Sequence, residues 1–195
     1  ANLFFTQEAR LAMEQAGVVI FKDASANKGG VTSSSMEVLA ALCMDEHQFA
    51  GNMMCEDGKV PAFYKTYVEA VQLAIERNAE MEFECLWRER ERTGRPLSIL
   101  SDDLSTSIVD LRAKLSESVE LWSDRELRDC VFKRAIPRVL QDLVPLSDIY
   151  QRVPEPYLRA LFAAYLASRY VYECGVQPDQ FAFYQFMKTL KCNVI

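Results

Sequence analysis

The sequence has one histidine, seven glycines and six cysteines, no two of which stand at C-x-x-C spacing. Each scarcity removes a class of chemistry. With His47 alone and Cys43, Cys55, Cys85, Cys130, Cys174 and Cys192 scattered singly, no metal site is expected. Single cysteines in helical patterns read as small buried apolar residues of a reducing compartment, cytoplasmic or mitochondrial. The chain contains no G-x-G-x-x-G loop, the usual cradle for a dinucleotide diphosphate. No apolar run approaches the roughly 20 residues that a membrane span needs. Basic charge is short too, with 22 Lys and Arg against 28 Asp and Glu and a net charge of −6. Residues 1–58 carry −5 of this and residues 59–195 only −1, so neither part offers the cationic surface that a nucleic-acid partner requires. The chain opens on Ala1-Asn2-Leu3-Phe4-Phe5, without an initiator methionine or signal pattern, and is expected to be a fragment of a longer polypeptide.

What is present suits a folded protein. Half of the 195 residues are hydrophobic and 26% are charged, enough to build a core of ordinary domain size. Asn2 to Phe5 reads as the end of a strand, Thr6 as the N-cap of a helix that Gly17 stops, and Val18 to Phe21 as a short buried strand. Strand, helix and strand in about 20 residues is the rhythm of a βαβ unit. Helical patterns follow at 31–44, from Asp45 to about Met54, and at 61–93, where Gly94 ends a helix of about 30 residues. Further helices are expected at 102–118, at 124–143 with Ser123 and Glu126 as a capping box and Pro137 as a bend, near 146–152, at 156–174 and at 178–190. The expected fold is mainly α: a short α/β remnant of a Rossmann-like nucleotide-binding domain over residues 1–58, then a helical domain over 59–195.

Several constellations are better explained by structure than by chemistry. Glu76, Glu80 and Glu84 share a stripe, but Arg88 and Arg92 continue it, as a solvated ion-pair face does. His47 falls in the first turn of a polar helix and is expected to be exposed. The aromatics Phe181, Phe183, Tyr184 and Phe186 lack interleaved basic residues and read as packing for the last helix. Ser33, Ser34 and Ser35 form no G-x-S-x-G elbow.

One segment differs in kind. Lys22 to Glu37 holds Asn27, the paired Gly29 and Gly30, and the hydroxyls of Thr32 to Ser35, and it leads into a helix. Glycines admit a ligand close to the main chain, an asparagine amide both donates and accepts, and a helix start favours an anion such as a carboxylate. On these grounds a ligand loop and a plain glycine turn with serine caps weigh equally.

The pattern Asp23-x3-Asn27-x-Gly29-Gly30-Val31-Thr32-x-Ser34-x2-Glu37, preceded by Asn2, resembles the end of the nucleotide-binding domain in the glutamate, leucine, phenylalanine and valine dehydrogenase superfamily. The residues Ala1 to Arg10 and Lys22 to Ser35, and the later Phe83 to Arg88, Arg134 to Pro137 and Pro154 to Tyr157, are similar to its large NAD-specific glutamate dehydrogenases. The small hexameric members have Gly-Pro-Thr after Asn2 and a small residue in place of Lys28. The resemblance implies oxidative deamination of L-glutamate: hydride transfer from the α-carbon to NAD, then hydrolysis of the imine to 2-oxoglutarate and ammonium. It implies that Asn2 and Asn27 contact the coenzyme and that Asn27, Val31 and Ser34 contact the substrate. It also places the catalytic lysine and aspartate elsewhere, so no catalytic residue is expected here and the isolated chain is expected to be inactive. The rest of the parent chain is its partner, in a protein expected to be a homo-oligomer. Two other classes stay open: a helical regulatory or oligomerisation module over about 60–195, and a free-standing helical binding protein.

Overall fold

Five of the seven prolines, Pro61, Pro96, Pro137, Pro145 and Pro154, stand immediately before a helix. A proline lacks only an N–H that the first turn could not use, and it stops the preceding segment from running on. In the computed structural model, which describes residues 4–176 and 180–192, this punctuation separates twelve helices. They are α1 (Gln7–Gln15), α2 (Asp23–Ala26), α3 (Gly29–Cys43), α4 (Glu46–Met53), α5 (Ala62–Thr93) and α6 (Leu97–Glu117), then α7 (Val119–Ser123), α8 (Arg125–Ala135), α9 (Arg138–Leu143), α10 (Leu146–Arg152), α11 (Glu155–Cys174) and α12 (Gln180–Cys192).

The caps follow the local chemistry. Thr6 accepts from the Ala9 N–H, Asp45 and Gln48 form a reciprocal capping box, and Gly94 ends α5 in the left-handed region at φ 68°. Asp57 and Gly58, both at positive φ, turn the chain between α4 and α5. The long 124–143 helix of the sequence pattern is in fact two. Asp124, rather than Ser123, caps α8, and Pro137 breaks the run instead of bending it, because its ring and missing N–H cannot continue a helix past Ala135. Leu97 starts α6 five residues ahead of the expected 102, and α7 is an additional short turn of helix.

The core is built around α11, which lies along α6 and also meets α5, α8 and α12. Phe162, Ala163, Leu166, Ala167 and Val171 are buried there together with Leu97, Leu100 and Leu104 of α6, Cys85 and Leu86 of α5, and Leu127, Val131 and Phe132 of α8. Trp122 meets Phe162 edge to face at 5.7 Å. Where α11 ends, Gly175 has φ 90°, and a Cβ on it would lie 2.5 Å from the Glu89 Oε1 atom. Gly175→Ala should therefore lower stability by about 1–3 kcal/mol, read as a shift of the urea midpoint, since both backbone and neighbour oppose the methyl group.

The α/β remnant is not there. Among the described residues there is no strand, and the fold is all-α. Residues 1–3, with most of the first expected strand, lie outside the described residues, and Phe4 and Phe5 form none. Val18 to Phe21 forms no strand, and the reason is physical: a strand exists through its ladder, and no described segment offers one. Val18 and Val19 remain 43% and 48% exposed, while Phe21 stacks on Phe83 of α5 with ring centroids 4.8 Å apart. A side-chain stack replaces the expected sheet.

Candidate functional site

The glycine segment folds as α2, a two-residue joint at Asn27 and Lys28, and the start of α3. It is fixed from behind by charge. Arg10, only 4% exposed, places its guanidinium 2.5 Å from the Asp23 carboxylate. Ser25 meets Ser101 of α6 at 2.6 Å, and Lys22 pairs with Asp102. Glu14 of α1 accepts from the Ser98 hydroxyl at 2.6 Å. Lys28 reaches the Glu82 carboxylate of α5 at 2.6 Å, and the Tyr172 hydroxyl of α11 donates to the same carboxylate at 2.8 Å. Burial, and next the Glu82 charge, push the Tyr172 phenol above the usual tyrosine range, so it remains a donor. Deeper in α3, Tyr67 and Tyr157 donate to the Met36 and Ser35 carbonyls at 2.7 and 3.1 Å. Together these hold the segment against α5, α6 and α11.

The front of the segment faces solvent. Asn27, the C-cap of α2, is exposed, as are Val31, at 79%, and Ser34. Val31 and Ser34 are three residues apart and so share one face of α3. Asn2 lies outside the described residues. The hydroxyls point back at the helix: Thr32 donates to the Lys28 carbonyl at 3.0 Å, Ser33 and Ser34 to that of Gly30 at 3.0 and 2.6 Å, and Ser35 to that of Val31 at 2.8 Å. None of them caps the helix, whose N-cap is Lys28 and carries no side-chain cap bond. The turn with serine caps is thereby corrected, because these serines fall past the first turn, where their reachable acceptors are carbonyls one turn back. On another side of α3, Ser33 and Glu37 border a cavity of about 600 Å³ walled by Phe49, Met53, Tyr67 and Val71.

The other sequence candidates take structural roles. His47 is exposed in the first turn of α4, and Glu76, Glu80 and Glu84 are exposed on α5. The expected ion-pair ladder is not formed: Arg88 donates to the Tyr172 and Glu173 carbonyls at 2.8 and 3.2 Å, and Arg92 pairs with Glu89 at 2.6 Å. Among the described residues no acidic, histidine and cysteine cluster could hold a metal, and no helix is long and apolar enough to cross a membrane. Cys43, Cys85 and Cys130 are buried, and burial raises the Cys43 thiol to about 12 and the Cys85 thiol to about 11, which keeps both protonated. Of the terminal aromatics, Phe183 and Phe186 pack on Tyr170 at 5.0 and 5.5 Å, while Phe181 and Tyr184 are 69% and 68% exposed.

The partner of Lys28 went unread in the sequence, although a signal existed. Tyr67, Val71, Glu82, Cys85, Leu86 and Glu89 are the buried residues of α5, and two carboxylates inside an otherwise apolar stripe mark buried acids that need partners.

Residues 1–94 match the family model described as Glutamate/Leucine/Phenylalanine/Valine dehydrogenase. Across 98% of its length the chain is 53% identical to "Glutamate dehydrogenase 2" of Dictyostelium discoideum, and over its whole length 52% identical to "NAD-specific glutamate dehydrogenase" of Neurospora crassa. The protein of that name from Saccharomyces cerevisiae is 43% identical over 98% of the chain. In each case the chain spans 18% of the relative's length. No solved structure matches. By the family match over its first 94 residues and by relatives that run through the rest of it, the chain is similar to a segment of the glutamate/leucine/phenylalanine/valine dehydrogenases.

Proposed function

We propose that this chain supplies one wall of the substrate and coenzyme site of an NAD-dependent glutamate dehydrogenase, the enzyme that converts L-glutamate to 2-oxoglutarate and ammonium. The observation that carries the proposal is the two-sided build of the Lys22–Glu37 segment. Its back is pinned by Arg10–Asp23 and Lys28–Glu82–Tyr172, while Asn27, Val31 and Ser34 stand exposed in front. A rigid, anchored helix start presenting an amide, an apolar surface and a hydroxyl is what a small anionic substrate needs for orientation.

Each residue then has a role. Ser34 donates its hydroxyl to the distal carboxylate of glutamate, Val31 covers the methylenes beside it, and Asn27 binds polar groups of the substrate's amino-acid end and of the nicotinamide ribose. Asn2 lies at the nicotinamide end of the coenzyme. The donor set suits that end of NAD, since an exposed amide can serve ribose hydroxyls, whereas no diphosphate cradle occurs in the chain. When bound, NAD supplies the hydride acceptor. The proton-transfer lysine and aspartate and the diphosphate site belong to other parts of the longer protein. Residues 1–58 carry the ligand-facing portion, and residues 59–195 form its helical support.

Steady-state kinetics of Asn27→Ala in the full-length enzyme test this. Loss of one hydrogen bond to a neutral ligand group should raise KM for NAD about 3- to 10-fold with the melting temperature kept. The 195-residue chain alone should release no NADH from glutamate. Unchanged constants for NAD and glutamate would remove Asn27 from the site, and activity of the isolated chain would overturn the division of labour.

A further inference from the structure

A second cleft, of about 350 Å³, opens where α5, α8, α11 and α12 meet, well apart in sequence from the glycine segment. Three guanidinium groups border it: Arg77 of α5, Arg134 of α8 and Arg169 of α11. In a chain of net charge −6 with 28 acidic residues, arginines gathered at a cleft would ordinarily be met by carboxylates. Arg169 is not. Its guanidinium donates to the Asn78 Oδ1 atom at 2.6 Å and to the Met81 sulfur, and it lies over the Tyr165 ring at 5.2 Å from the centroid. All three partners are neutral. Arg77 has no hydrogen bond or ion pair among the described residues, and the one acid bordering the cleft, Glu173, makes no ion pair among them either. Burial, and after it the Arg77 charge among the nearby groups, lowers the Arg169 pKa from the ordinary arginine value, the mark of a cation short of an opposite charge.

A half-buried charge held only by neutral acceptors is costly unless something anionic joins it. Guanidinium forks match the paired oxygens of phosphate and carboxylate, and several forks together favour an anion of more than one charge. Phe186 and Leu190 of α12 border the cleft on one side with apolar surface, beside which such a contact is screened less than in open water. We propose that this cleft is a binding site for a small multivalent oxyanion, gripped by Arg77 and Arg169 with Arg134 at its edge.

Isothermal titration of the 195-residue chain with pyrophosphate and, separately, with citrate at fixed ionic strength tests the site. At least one should bind saturably at one site per chain with Kd below about 1 mM. Pyrophosphate alone would identify the phosphate source, citrate alone the carboxylate source, and both the shared chemistry. Arg77→Ala, which removes an exposed side chain with no hydrogen bond or ion pair among the described residues, should weaken binding at least about tenfold, the loss of one charge-assisted contact. Arg169→Met should abolish it; if that variant does not fold, Arg77→Ala decides alone. Arg138→Ala, which breaks an exposed pair with Asp142 at 2.8 Å, should leave binding unchanged. Absence of saturable binding by either anion, or equal weakening by Arg77→Ala and Arg138→Ala, would overturn the proposal.

Discussion

Lys28→Met should cost about 3 kcal/mol of folding stability and loosen the start of α3, the largest loss expected from a single change in the glycine segment. The Lys28–Glu82 pair is asymmetric: the lysine side chain is 26% exposed, the glutamate side chain 3%. Removing the lysine leaves a carboxylate held by the Tyr172 hydroxyl, deep between α5 and α11. An uncompensated buried charge costs about 3–5 kcal/mol, and the lower end applies because a few waters can follow where the lysine lay. Adding Glu82→Gln to Lys28→Met should recover about 2 kcal/mol, since the amide oxygen still accepts from Tyr172 but needs no opposite charge. Urea midpoints of the two single variants and the double variant measure this. Hydrogen exchange at the Gly29 to Ser34 amides should quicken in Lys28→Met and return in the double variant. A cost below about 1 kcal/mol would make the pair an ordinary surface contact and leave the front of the segment without its anchor.

The same pair shows where the sequence could be read and where it could not. Helix boundaries set by Thr6, Asp45, Pro61 and Gly94 were legible because a cap or a break is decided by one or two adjacent residues, whereas Pro96 went unread as a start and Pro137 was taken for a bend. The sheet was misread for the opposite reason: Val18 to Phe21 has strand composition, but a strand needs a neighbour, and Phe21 found Phe83 and Trp87 of α5 instead. Lys28–Glu82 spans 54 positions and Glu82–Tyr172 spans 90, so the anchors of the segment are products of helix packing. Of them, only the acid in an apolar stripe was visible beforehand. The arginine cleft gathers residues from four helices, and no local pattern announces it.

Ser34→Ala in the full-length enzyme should lower kcat/KM for glutamate about 10- to 100-fold and leave KM for NAD nearly unchanged. The hydroxyl donates to the Gly30 carbonyl at 2.6 Å, an acceptor that the helix already serves through a main-chain N–H. Turning it outward to a carboxylate therefore gives up little and gains a charge-assisted bond worth roughly 1.5–3 kcal/mol, which at 1.4 kcal/mol per tenfold sets the range. A purely structural Ser34 makes the opposite forecast. Back-bonding to a carbonyl one turn earlier slightly weakens a helix, and alanine is the better helix former at an exposed site, so the variant would melt at the same or a slightly higher temperature. Kinetics and melting of the one variant therefore separate the two roles. A 10-fold or larger fall for glutamate at an unchanged or raised Tm assigns the hydroxyl to the substrate carboxylate, because no loss of folded protein could produce it. Unchanged kinetics would return Ser34 to the helix.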